Sequence, residues 1–524
     1  MLTFIATRMT ILQNSHLMDH EDDQRFRIKS NMFSFHRQYT QIYAARLAAC
    51  RPTLVFNCQK HWGASTNELH KTEEPPILSL GDLVVDQRCV IIGTIYKEMK
   101  LKPSILRELA SSETGSLTAD TGTGSCLLSQ DDSSFLEDDV QRIMLNLDQK
   151  VLQGRLSGSR LATGVVMAVL GHEPSSARGV FIVEDFLFVE PQPEHPIKAH
   201  HLEVPVKTCV DFTNTGPWLA LVSGLGFSGT GPTRQGYVLA LQLLADWLRC
   251  SGNWSYESSD SVGVVRLLIL GDSIRLSMGS DANAPAVRLS QQARYLTRNV
   301  EAESVTAMAR LDEWLATLPL GPGGGAENNG LSVDLIPGPT DPTSSLLPQQ
   351  PIHSVAFPLS VARSGGFGRR ALCGRTNPYS FTLEGRKILA TAGQGPNDLL
   401  LYTDIPESCE RMEATLLWSH LAPTCPDTLA GYPMTSGDEL TLRSNTDNPS
   451  CSSDYPDIYV AGCQPGQDAS WRRSRLHWDD KDHNGALLVS VPRFDETLQL
   501  VLVHLHSLDC RLVRFDTSLL DEPE

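Results

Sequence analysis

The sequence is short of positive charge: 44 Lys and Arg stand against 61 Asp and Glu, a net charge of -17 over 524 residues. Duplex DNA is a dense line of phosphates, and gripping it takes clustered Lys and Arg. That balance makes the chain a poor candidate for a primary DNA clamp, a local basic patch aside, and leads us to expect no strong direct DNA binding. No C-x-x-C pair occurs among the 12 cysteines. Their spacing fits neither a zinc site nor a small disulfide framework, and the ordinary reading is buried thiols in a reducing compartment. No apolar run approaches the ~20 residues that a membrane span requires. The Asn253-Trp254-Ser255 sequon stands alone, without other signs of secretion. The leader "MLTFIATRMTILQNS" has a weak apolar patch broken by Arg8, and the acidic "MDHEDDQ" that follows argues against a transit peptide. Residues 1–35 are expected to be a disordered leader.

What remains is a globular chain, 41 % apolar and 20 % charged, long enough for two or three cores. Residues 36–49 place Tyr39, Ile42, Tyr43 and Leu47 on one helical stripe, which Pro52 should limit. Strand-like runs follow at 88–99, 151–158, 161–173 and 178–190, with a polar Gly/Ser/Thr/Asp loop at 111–134. Short strands closed by turns suit a small barrel such as the OB-fold, so 36–204 reads as a helix plus barrel, with a Pro-rich joint at 191–201. From 205 to 515 strands and helices alternate: strand "PWLALVSG", helix 234–249, strand 264–271, helix 288–317 and strand 333–338. Strands at 387–394, 457–464, 486–494 and 498–508 would complete the sheet, before a tail at 516–524. The polar or glycine-rich stretches 321–330, 363–370 and 436–455 read as loops, the last a mobile one, with 321–330 and 436–455 both expected to be dispensable for folding.

Gly224, Gly226 and Gly229 give a G-x-G-x-x-G spacing after the first strand of this second region. A dinucleotide fingerprint also needs an acid about 20 residues on, at the end of the second strand. Asp246, the acid near that spacing, lies inside a helix, so no cofactor is expected. The loops "VSGLGF", "LGDS", "PGPTD", "SHLAP" and "AGCQP", read as strand ends, resemble the calcineurin-like metallophosphoesterase series D-x-H, G-D, G-N-H-[DE], a lone His and G-H-x-H. Gly224 and Gly226 stand where that family has Asp and His. Gly271-Asp272 is kept, Thr340 and Asp341 fall in Gly-Pro-Thr-Asp where Gly-Asn-His-Asp would be, and Cys463 and Pro465 replace both histidines of the last motif. Glycine, proline and threonine cannot rebuild a dinuclear site, so neither metal nor catalytic residues are expected. The fold class implied is an OB-fold barrel followed by a calcineurin-like phosphoesterase-type α/β sandwich lacking its metal ligands.

Other conspicuous residues have plain readings. His504 and His506 alternate in a strand and should share one face. "WRRSRLHW" at 471–478 mixes Arg with Trp as single-strand binders do, yet reads as a solvated loop or partner contact. Asp272 and Asp341 would cap turns, with one weak cation as the alternative. Val300, Val305, Met308, Leu311, Trp314 and Leu315 fall at core spacing on a helix.

An OB-like barrel ahead of a ligand-depleted phosphoesterase domain resembles the regulatory B-subunits of eukaryotic replicative DNA polymerases, with the delta branch fitting best. "RQYTQIYAARL", "PSILREL", "LVSGLG", "VDLIPGPTDPTSSLLPQQPIHSVAFPL", "TNPYSF" and "HLAPTCPDTLAGYP" carry the resemblance, which covers roughly 30–515. The long insertion after "GYP" departs from the family. The resemblance implies a nuclear, non-catalytic scaffold for polymerase delta. Its partners would be the cysteine-rich C-terminal module of the catalytic subunit and a third accessory subunit that contacts the sliding clamp. Polymerase zeta is a further implied partner, and the clamp is reached only indirectly. The rivals are an active metal-dependent phosphodiesterase or exonuclease, and a single-stranded-DNA-binding OB protein, for which "KEMKLKPS" offers only three lysines.

Overall fold

A computed structural model describes residues 25–28, 39–63, 75–102, 126–147, 156–189, 217–230, 236–252, 263–275, 303–320, 331–364, 371–433, 437–443, 454–474 and 485–515. Helix α1, Thr40–Trp62, runs through Pro52 instead of ending there. Its Leu47, Cys50, Leu54 and Cys58 are buried against Val90, Ile92, Val166, Ala168 and Leu170. That packing outweighs the roughly 3 kcal/mol cost of an interior proline. The buried stripe therefore differs from the expected one: Ile42 and Leu47 belong to it, whereas Tyr39 is 46 % exposed.

The barrel strands are β1 (Ile77–Leu78), β2 (Cys89–Glu98), β3 (Ser133–Glu137), β4 (Arg142–Asn146), β5 (Val166–His172) and β6 (Val180–Phe188). Pairing runs β2–β3–β4–β6–β5 and back to β2, so five strands close a ring. Ile95, Leu136, Ile143, Leu145, Met167 and Phe181 fill it. β5 and β6 lie within the expected runs, but the strand expected at 151–158 does not form over its described part. Residues 156–157 are loop and Gly158–Arg160 is a single 3-10 turn. β3 and β4 take its place, β3 beginning inside the stretch read as loop. β4 alternates strictly, with Ile143 and Leu145 inward and Arg142, Met144 and Asn146 outward. The joint 191–201 lies outside the described residues.

The second region contains two sheets. One runs β10 (Leu372–Gly374), β9 (Ser332–Ile336), β8 (Gly263–Leu270), β7 (Pro217–Val222), β16 (Gln499–His504) and β17 (Cys510–Arg514). The other runs β11 (Tyr379–Leu383), β12 (Arg386–Thr391), β13 (Ile458–Gln464), β15 (Leu487–Pro492) and β14 (Ser470–Arg473). β7 to β10 are parallel in the first sheet, as are β12, β13 and β15 in the second. Leu219, Leu221, Leu268 and Leu270 face Phe381, Ile388, Val460 and Val489 across the sandwich. Their neighbours Ala220, Val222, Leu267 and Ile269 turn the other way, onto α2 (Tyr237–Gly252) and α3 (Glu303–Thr317). On α3, Met308, Leu311, Trp314 and Leu315 are core, but Val305 is 58 % exposed, because the apolar stripe starts a turn later; Val300 lies outside the described residues. Helices α4 (Pro358–Ser364), α5 (Gln394–Tyr402), α6 (Ser408–Leu417) and the one-turn α7 (Phe494–Thr497) complete the order.

Four readings of loops change. "SHLAP" follows α6, not a strand; β12 ends instead at Thr391, before Ala392 and Gly393. Part of the stretch at 436–455 packs: Asp438, Leu440, Leu442 and Tyr455 are all buried, the apolar ones beside α6 and β15. Trp471, Arg472 and Arg473 belong to strand β14, paired with β15, not to a loop. β16 ends at His504, leaving His506 in the turn beyond it, so the two rings meet edge-on 5.8 Å apart rather than sharing a strand face. The stretch 321–330 lies outside the described residues, and of 363–370 only Arg363 and Ser364, the end of α4, are described.

Candidate functional site

The C-terminal ends of β7, β8, β13 and β15 converge. Glycines allow it: a Cβ on Gly462 would lie 2.3 Å from the Leu270 carbonyl oxygen, and one on Gly226 would lie 2.3 Å from an oxygen of Asp495. Gly224 and Gly226, at φ 57° and 67°, occupy the left-handed region that favours glycine. Their N–H groups donate to the carbonyls of Gly271 and Asp272 at 3.0 and 3.1 Å, zipping the loop after β7 to the loop after β8.

At the centre lies Arg493, the first residue after β15. Its Nε and Nη2 fork onto the two oxygens of Asp495 at 3.1 and 3.2 Å, and its Nη1 donates to Asp272. Arg275 adds a second guanidinium to Asp495 at 2.8 Å. The other oxygen of Asp272 accepts from the Thr340 hydroxyl at 2.9 Å and the Thr340 N–H at 3.2 Å. Asp341 is buried and accepts the N–H groups of Gly338 and Ile274 at 2.8 and 3.1 Å. Burial, reinforced by the charge of Asp272 but opposed by those N–H groups, pushes its carboxyl up to about 7. Burial also lowers Arg493, but the hydrogen bonds and charge of Asp495 more than reverse this and hold the guanidinium firmly protonated. Burial, together with the charge of Asp272, raises the Cys463 thiol well above its ordinary value, so it is a poor metal ligand and nucleophile.

The structure thus brings Gly224, Gly226, Asp272, Thr340, Asp341 and Cys463 to one place, while Pro465 sits exposed in the turn after β13. His420 is elsewhere: its Nε2 meets Asp438 at 2.8 Å beside Arg46, at the junction with the barrel. A metal pair needs several carboxylates and imidazoles free to coordinate. Here the carboxylates already serve a guanidinium or backbone N–H groups, so the residues present do not fit such a pair. Among the described residues no three His, Cys, Asp or Glu side chains gather as a metal-binding group. Sequence reasoning missed Arg493 and Asp495. The signal available was "PRFD", charge of both signs directly after an apolar strand.

Comparisons with known proteins agree with this architecture. Residues 38–186 match the model of the DNA polymerase delta subunit OB-fold domain, and 219–468 that of the DNA polymerase alpha/epsilon B-subunit. The chain is 34 % identical to DNA polymerase delta subunit 2 of Drosophila melanogaster, over 94 % of this chain and 96 % of that protein. It is 30 % identical to the DNA polymerase delta small subunit of Arabidopsis thaliana, over 95 % of both chains. The corresponding Saccharomyces cerevisiae protein is 29 % identical, over 91 % of this chain and 89 % of that one. A closed OB barrel joined to a two-sheet α/β domain defines the B-subunit class of polymerase accessory proteins. Within it, this chain belongs to the DNA polymerase delta small-subunit family.

Proposed function

We propose that this chain is the non-catalytic scaffold of a DNA polymerase delta holoenzyme, acting in the nucleus during replication and repair. One surface holds the cysteine-rich C-terminal module of the catalytic subunit, and another holds a third accessory subunit that reaches the sliding clamp. Polymerase zeta shares this scaffold. Polymerase activity resides in the catalytic partner, and the α/β domain is a phosphoesterase relative that has lost its chemistry.

The observation that carries this reading is Arg493, which spans Asp272 and Asp495 where a hydrolase of this architecture would hold its metals. A guanidinium there supplies fixed positive charge but no Lewis-acid site and no activated water. The test is an assay of the purified chain with manganese on single-stranded DNA and on a model phosphodiester, with Asp272→Ala as control. The expected result is no turnover; turnover abolished by Asp272→Ala overturns the reading. Partner binding also raises melting temperature by mass action. The catalytic subunit's module should therefore stabilise the chain, and single-stranded DNA should not.

A further inference from the structure

The outside of the barrel carries a row of side chains that neither its core nor α1 uses. Register sets Tyr96 opposite Phe135, Phe135 opposite Met144, and Met144 opposite Val180. Paired residues share a face of a sheet, so these four form one apolar ridge across β2, β3, β4 and β6. The Tyr96 and Phe135 rings are 6.3 Å apart, and the Arg142 guanidinium stands 5.3 Å from the Phe135 ring. Met144 is 38 % exposed and Val140, in the turn between β3 and β4, 85 %. The outer face over β2 and β5, by contrast, is covered by α1.

An aromatic barrel face suits two kinds of occupant. Single-stranded nucleic acid stacks bases on the rings, but it also needs cations for its phosphates. Beside this ridge Arg142 lies 4.0 Å from Glu137 and Lys100 3.5 Å from Glu98, and the exposed Arg178, two residues before Val180, is a cation without an ion pair among the described residues. Asp131 before β3 and Asp139 after it are exposed and add negative charge on either side of the ridge, beyond the two ends of β3. Tyr, Phe, Met and Arg are the residues enriched at the centres of protein interfaces.

We propose that this face docks a protein partner through an apolar segment flanked by Lys or Arg. The inference rests on the accessory-subunit reading and locates one of its contact surfaces. The test uses the full chain, wild type and two double variants, with the catalytic subunit, the third accessory subunit and a single-stranded oligonucleotide measured separately. Phe135→Ser with Met144→Glu should melt close to wild type, because both side chains lie outside the core. It should weaken binding of one protein partner by at least about tenfold. Asp131→Lys with Asp139→Lys, which leaves the ridge intact, should weaken the same partner and reduce the salt dependence of its association. If both variants hold both partners within about twofold of wild type, the proposal is overturned while the accessory reading stands. If wild type binds neither partner, both fall. If the ridge variant loses oligonucleotide binding and no partner, the occupant is nucleic acid and the proposal is overturned.

Discussion

Two arginines, the half-buried Arg493 and the buried Arg46, perform different tasks with one chemical group. Arg493 is offset by three carboxylates of its own domain, Asp272, Asp495 and the more exposed Glu496 at 3.6 Å, and 18 % of its side chain remains exposed. Arg46, on α1, is 1 % exposed and has one carboxylate, Asp438 at 2.8 Å. Its remaining donors reach the carbonyls of Gly164, Pro423 and Cys425 at 3.0, 2.8 and 2.6 Å. Gly164 belongs to the barrel, and Pro423 and Cys425 to the α/β domain. One guanidinium therefore closes a cluster of loops, whereas the other ties two domains to one helix. The difference lies in what else holds the partners. Asp495 keeps Arg275 and Asp272 keeps Thr340 if Arg493 is removed. Among the described residues Asp438 keeps His420 and a local N–H, from Leu440, if Arg46 is removed.

Breaking a buried pair from one side costs about 3–5 kcal/mol, because the surviving charge stays uncompensated. Arg46→Met should approach that range and lower the melting temperature by about 10 °C, read in a thermal melt of the full chain. A loss below about 1 kcal/mol would show that apolar packing of α1 alone joins the domains.

Arg493→Met should cost less, about 2 kcal/mol, because its partners have the second donors named above. Equilibrium denaturation of the two variants side by side tests the ranking. Equal losses would mean that Arg275 and Thr340 do not compensate.

The two clusters were unequally legible in the sequence. Asp272 and Asp341 stood out because each closes a strand-end loop with glycine before it. Arg493 did not, since the loops after β7, β8 and β15 meet only through the order of strands in two sheets. Arg46 and Asp438 are 392 positions apart, and Asp438 lies in a stretch whose polar composition reads as a dispensable loop. The same limit hid β3 and β4: "SSFLE" and "RIMLN" carry two or three apolar residues each, and Phe135 and Met144 point outward, so no alternation shows in so short a run. Long apolar strands such as β7, β8 and β15 are buried on both faces and announced themselves.

Protonation sharpens the comparison, because a histidine belongs to one cluster and a raised carboxyl to the other. Burial, helped by the charge of Arg46 and opposed by Asp438, lowers the His420 pKa below its ordinary 6.5. As pH falls below 6.5 the unfolded chain takes up a proton that the folded chain refuses, so this group removes stability on acidification. Asp341 acts in the opposite sense. Its folded pKa of about 7 exceeds the unfolded 3.8, so its stabilising contribution grows as pH falls between those values. Replacing His420 by Gln should therefore make the variant gain on wild type between about pH 6.5 and 5, by at most about 1.4 kcal/mol per pH unit. Asp341→Asn should lose on wild type over the same range. Parallel slopes for wild type and His420→Gln would mean that His420 titrates normally in the folded chain.

The smallest effect is expected from a second ion pair across the domain boundary. Arg160, at the end of the 3-10 turn in the barrel, meets Glu410 of α6 at 3.2 Å, with side chains 53 % and 25 % exposed. Water and salt screen such a pair, and ordering two long side chains offsets much of its attraction, so its net contribution is below about 0.5 kcal/mol. Arg160→Ala should accordingly shift the melting temperature by no more than about 2 °C. Arg46→Met combined with Arg160→Ala should equal the sum of the single losses within about 0.5 kcal/mol, since the two arginines share no partner. A combined loss well above that sum would mean that the barrel and the α/β domain separate as a cooperative step once Arg46 is gone. Burial of Arg46 would then set the strength of the whole boundary, including contacts that solvent already reaches.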